Sequence, residues 1–156
     1  EVNKNVTQVD RKIQDAGIYA ICNYIFCMPD DTHETMQEPL DLSIEINSEF
    51  ANFYSAMAYP GSPLYEMAKQ KGYSLPDDLG GSGWIGYSQH AYDTTPLPTD
   101  KDPADDGLNF RDDAFLKYFT NSDYLNMMKT KFGNKALEHI QEMINAPRLK
   151  RKILGD

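Results

Sequence analysis

The chain has 156 residues, 40% hydrophobic and 25% charged, which suits one globular domain and excludes a disordered or fibrous chain. Its formal net charge of −9 argues against nucleic acid or an anionic membrane as a partner, and no stretch approaches the roughly 20 apolar residues of a membrane span. No signal-peptide pattern opens the chain, so the cytoplasm is the expected location.

In chain order, Val2, Val6, Val9 and Ile13 fall at spacings of four, three and four, which predicts a helix over residues 2–15 ended by Gly17. From Ile18 to Met28 the run is apolar except for Asn23 and does not alternate, as in a parallel strand covered on both faces. Asp31 or Thr32 then caps a helix over about 33–46, with Met36, Leu40 and Ile44 on one side. Pro39 should kink it. Phe50 to Ala58 is a second expected strand, followed by a turn at 59–63 and a short helix from Leu64 to Lys71 closed by Gly72. Strands alternating with helices imply right-handed parallel crossovers.

Residues 73–101 are rich in Gly, Pro, Asp and Ser and form a long loop, with Trp84, Tyr87 and Tyr92 among them. Helical spacing resumes near Pro103, in three sets: Leu108, Phe115 and Phe119; Tyr124, Leu125 and Met128; Leu137, Ile140 and Ile144. The basic cluster from Arg148 to Lys152 reads as a solvated helix end. Three segments result: 1–72 with the strands, 73–101 as loop, and 102–156 as a helical extension.

Cys22 and Cys27 lie five positions apart in one extended run, about 16 Å between Cα atoms and on opposite faces. They can neither pair nor chelate one metal together. His33, His90 and His139 show no metal-ligand spacing, and capping accounts for Asp31, so no metal ligand is assigned. Ser55 and Ser62 have no identifiable base, and the glycines at 80, 81 and 83 lack the lysine of a phosphate loop. No catalytic residue is assigned. Two apolar parallel strands cannot bury themselves with three helices, which predicts either the back half of a larger α/β protein or copies that associate through an exposed sheet edge.

Asn-Tyr-Ile-Phe-Cys-Met-Pro-Asp-Asp-Thr at 23–32 resembles the fifth barrel strand and following turn of radical S-adenosylmethionine enzymes, which usually ends in Gly-Leu-Pro-Gly-Asp/Glu-Thr. His33-Glu34-Thr35-Met36 continues the likeness, and residues 50–65 are similar to the sixth strand with its Tyr-Pro-Gly-Ser/Thr-x-Leu-Tyr turn. Residues 84–94 and 110–115 look like the tail of members that carry a cobalamin-binding domain. The resemblance implies a partial parallel (β/α) barrel, its last two strands with their helices, followed by an α-helical C-terminal tail.

It also implies that Asn23 and Ile25 help hold S-adenosylmethionine, that Cys27, in place of the family's glycine, narrows the space beside it, and that Met57 and Tyr59 end the strand approaching the adenine. His90 or Tyr92 in the long loop would contact substrate. The family's CxxxCxxC motif is absent, so the chain is expected to be an incomplete catalyst, with the missing N-terminal half as its partner. The complete enzyme would hold S-adenosylmethionine, an iron–sulfur cluster and, in the cobalamin-associated type, cobalamin; none is expected on this chain alone. The alternative is a standalone, non-catalytic α/β module that self-associates.

Overall fold

A computed structural model of the chain describes residues 2–76 and 83–156; Gly80 and Gly81 of the glycine-rich stretch therefore lie outside the described residues. The elements are α1 (Val2–Asp15), β1 (Ile21–Phe26), α2 (His33–Ile46), β2 (Phe50–Ser55), α3 (Pro63–Lys71), a 3-10 turn (Gly83–Tyr87), α4 (Ala104–Phe119), α5 (Ser122–Phe132) and α6 (Asn134–Ile144). The fold is α/β, mostly helical, with one two-stranded parallel sheet among the described residues. The helices arise where the apolar spacing places them, and α2 runs continuously through Pro39.

Both strands are shorter than their apolar runs. Cys27 takes a left-handed backbone, φ 66°, and ends β1 after Phe26. The strands also alternate where continuous cover was expected: Tyr24, Phe26, Ala51, Phe53 and Ser55 are buried, while Ile21, Ile25, Phe50 and Tyr54 are exposed. One face of the sheet is thus buried within the chain. Ile25 remains 55% exposed on the other. The stripe of α1 behaves likewise: Val9 is 57% exposed, and the same helix buries Thr7 and Asp10 instead.

Contacts divide the chain into two compact units: Glu1–Tyr24, Thr35–Phe53 and Asp112–Ala146 in the first, Ile25–Glu34, Tyr54–Arg111 and Pro147–Asp156 in the second. In the first unit an aromatic core gathers on Tyr118, whose ring meets Phe53 at 5.6 Å, Phe119 at 5.1 Å and Tyr124 at 4.9 Å. Asn121 caps α5, its Oδ1 accepting from the backbone N–H of Asp123 at 2.8 Å.

Glu49 in this unit is buried, accepting from the Ala20 N–H at 2.7 Å and from the Lys131 ammonium. Burial pushes its carboxyl upward, but the Lys131 and Ala20 hydrogen bonds outweigh that and hold it below the ordinary value near 4.5. A depressed folded pKa contributes stability that is present above the unfolded value and lost as pH falls through the folded one. Urea midpoints should therefore decline below about pH 4.5 with a contribution that Glu49→Gln removes, at a cost near neutrality of about 1–3 kcal/mol. An identical acid limb in the variant would rule this out.

In the second unit Ser62 caps α3, accepting from the Tyr65 N–H at 3.1 Å, with Pro63 in the first turn and Gly72 left-handed at the end. Ala58, Ala68, Leu75 and Leu97 form its buried cluster, so the long loop supplies core residues. The Ala56 N–H donates to Phe26 O at 2.8 Å, and Leu97 N–H donates to Ala56 O at 3.3 Å, continuing the pairing past β2. Asp100 N–H donates to Pro29 O at 2.8 Å, pinning the loop to the turn after β1.

Cys27 packs its thiol against Gly107 of α4 so closely that a Cβ there would stand 2.4 Å from the sulfur. Gly107→Ala should thus cost about 1–3 kcal/mol through overpacking, despite a helix-propensity gain of about 1 kcal/mol. Cys27→Gly removes the clash and suits φ 66°. The double variant should be more stable than the two single effects added, by about 0.5–3 kcal/mol. Strict additivity in urea unfolding would refute the contact.

Candidate functional site

Strand ends collect ligands in parallel α/β folds because the backbone turns there leave polar groups and space unclaimed by the sheet. A cleft of about 680 Å³ lies in the second unit at the ends of both strands. That is within the roughly 300–1,000 Å³ of small-molecule sites. Ile25, Met28, Tyr54 and the run Ser55–Met57 form one part of its lining, Tyr59 and Leu64 another, and Trp84 with Tyr87–His90 the loop side.

Three aromatic rings are arranged in sequence along this wall. Tyr59 and Tyr87 stack with centroids 5.2 Å apart, and Trp84 meets Tyr87 at 5.5 Å. The Tyr59 hydroxyl donates to Tyr87 O at 3.5 Å, a weak bond at best. Tyr59 and Trp84 are exposed and can meet a flat ring, while Tyr87 is buried. Met28 and Met57 add polarizable surface beside them.

The polar side of the cleft is built on Gln89. Its Oε1 accepts from the Ser55 N–H at 2.9 Å, fastening the loop to the end of β2, and its Nε2 lies 3.5 Å from His90 Nε2. The backbone carbonyl of Gln89 in turn accepts from Arg151 Nε at 2.8 Å. Arg151 is only 2% exposed. The basic cluster does not end a helix, since α6 stops at Ile144, and Arg148, Lys150 and Lys152 are exposed while Arg151 is not. Lys152 N–H donates to Tyr92 O at 2.9 Å, and the Tyr92 hydroxyl donates to Asp156 O at 3.3 Å.

Of the residues singled out from sequence, Ile25, Met57, Tyr59 and His90 come together in this cleft. Cys27 and Tyr92 belong to the same unit but not to its lining; Cys27 is buried against Gly107, and Tyr92 holds the C-terminal segment. Burial pushes the Cys27 thiol up to about 12, the Ser55 hydroxyl opposing it in part, so Cys27 is not a nucleophile at neutral pH. Asn23 lies in the first unit, exposed, its Oδ1 accepting from Asn52 Nδ2 at 3.0 Å.

Gln89 and Arg151 carried no local signal, since each acts through a partner more than 30 positions away. Trp84 and Tyr87 did, as aromatics in a polar loop. The arrangement can bind and orient a flat, partly apolar molecule. The lining offers aromatic surface at Tyr59 and Trp84 and apolar surface at Ile25 and Met57 to a flat ring. It does not fit an iron–sulfur cluster, which takes several converging thiolates. The chain has two cysteines, and Cys27 is buried.

No helix among the described residues is long and apolar enough to cross a membrane. Comparison of the chain with protein-family models, with curated proteins and with solved structures returned no match.

Proposed function

We propose that this chain is the C-terminal portion of a radical S-adenosylmethionine enzyme of the cobalamin-associated type, supplying the last two strands of a parallel (β/α) barrel and a helical tail. The observation that carries the reading is the uncovered apolar face of the parallel sheet, Ile21, Ile25 and Tyr54, together with the exposed Val6 and Val9 of α1. Parallel strands of this kind ordinarily have both faces covered, and further barrel strands would cover them. The aromatic cleft at the strand ends, where that family holds its cofactor, supports it from the other side.

In this reading Tyr59, Met57 and Ile25 hold S-adenosylmethionine, and Gln89 sets the loop that carries His90 over the cleft. When bound, S-adenosylmethionine supplies a sulfonium open to reductive cleavage. The residues of this chain orient it and exclude water. The cluster, which needs more thiolates than the two cysteines of this chain supply, and cobalamin where used, belong to the remainder of the enzyme.

The test has two parts. The coding sequence upstream of Glu1 is expected to continue in frame through a CxxxCxxC motif; a start codon immediately before Glu1 defeats the proposal and favours a self-associating module that uses the same exposed face. In the complete protein, Tyr59→Ala is expected to weaken S-adenosylmethionine binding about three- to tenfold by equilibrium dialysis. Unchanged affinity removes the cleft from the site.

A further inference from the structure

A second set of groups in the second unit converges without reference to the cleft. His33 opens α2, Asp106 lies in the first turn of α4, and Asp102 precedes that helix. One ligand-capable atom from each lies within 4.8 Å of the other two. Acidic side chains at a helix start are accounted for by the dipole, as with Asp105 and Asp106. The dipole gives no reason for an imidazole nitrogen, carried by a different helix, to join them.

We propose that His33, Asp102 and Asp106 form a binding site for a divalent first-row transition ion of the zinc class. The donor chemistry selects the class. One nitrogen and two carboxylates suit zinc, cobalt or nickel, whereas calcium and magnesium take oxygen ligands and gain little from imidazole. The geometry needs small adjustment: around an ion at about 2.1 Å, tetrahedral donors stand about 3.4 Å apart, so side chains within 4.8 Å close by rotamer changes alone. Exposure of His33 and Asp106 leaves them free to make those changes.

Neighbouring contacts support two of the three without fixing their side chains. The His33 ring stands edge-on to Phe110, centroids 5.6 Å apart. Asp102 is fixed through its backbone, its N–H donating to Thr99 Oγ1 at 2.8 Å and its carbonyl accepting from the Thr99 N–H at 3.0 Å. Such outer contacts set how firmly ligands are presented. Three protein donors leave at least one position for water or a further ligand, which is the pattern of open zinc sites.

The test is calorimetric titration of the full chain with Zn²⁺, and with Co²⁺ followed by its visible absorption. One ion per chain is expected. His33→Gln, Asp102→Asn and Asp106→Asn should each weaken binding about tenfold or more, while His90→Gln and His139→Gln should leave it unchanged. If Asp102→Asn disturbs the Thr99 turn, Asp106→Asn on the helix surface answers the same question. Absence of one-to-one binding, full affinity in His33→Gln, or Mg²⁺ binding as tightly as Zn²⁺ would each overturn the proposal.

Discussion

Tyr118→Ala is expected to lower the stability of the chain by about 3–5 kcal/mol, the range for deleting a buried aromatic ring. The side chain is 1% exposed, and three rings of the first unit pack on it. Its hydroxyl donates to the carbonyl of Ser48 at 2.5 Å, just before β2 begins. Burial pushes the phenol above its ordinary range, so it remains a neutral donor at any working pH.

Tyr118→Phe separates the two contributions. It keeps the ring and strands the Ser48 carbonyl, which should cost about 1–3 kcal/mol. Urea unfolding monitored by circular dichroism measures both. A loss below about 0.5 kcal/mol in the alanine variant would mean that the aromatic cluster does not organise the unit.

Arg151→Ala is the second large effect, about 2–4 kcal/mol. It removes a hydrogen bond from a charged donor, worth roughly 1.5–3 kcal/mol, together with the packing of a buried stem. The lost partner is the carbonyl of Gln89, whose side chain clamps Ser55 at the end of β2. Amide exchange at residues 88–92 should therefore accelerate well beyond the rest of the second unit. Arg151→Lys should not restore protection fully, because an ammonium does not reproduce the fixed direction of the guanidinium N–H. Wild-type exchange in Arg151→Ala would show that the tail does not hold the loop.

The helices were legible because each needed only local information. The spacing of Leu108, Phe115 and Phe119 suffices for α4, and Gly72 closes α3, though the helix starts at Pro63, one residue before the expected Leu64. Cover was not legible. An apolar run such as Ile18 to Met28 reads the same whether its faces are buried in this chain or by something else, and Val6 and Val9 form a clean stripe that is nevertheless exposed. The end of β1 was missed for a different reason: a left-handed cysteine departs from residue preference and is stabilised by tertiary packing on Gly107.

The candidate site divides in the same way. Tyr59 and Met57 stand at a strand end, and His90 was singled out through the family resemblance of its loop. Gln89, Arg151 and the meeting of His33 with Asp102 and Asp106 depend on contacts between segments far apart in the chain.

The two thiols offer a clock for internal motion. Cys22 is half-buried, donating to Asp10 Oδ1 at 3.9 Å, whereas Cys27 is enclosed and rarely ionised. An alkylating reagent should modify Cys22 steadily and reach Cys27 only during excursions in which α4 lifts from the end of β1. The ratio of the two labelling rates then reports how often that corner breathes, with no probe added to the protein.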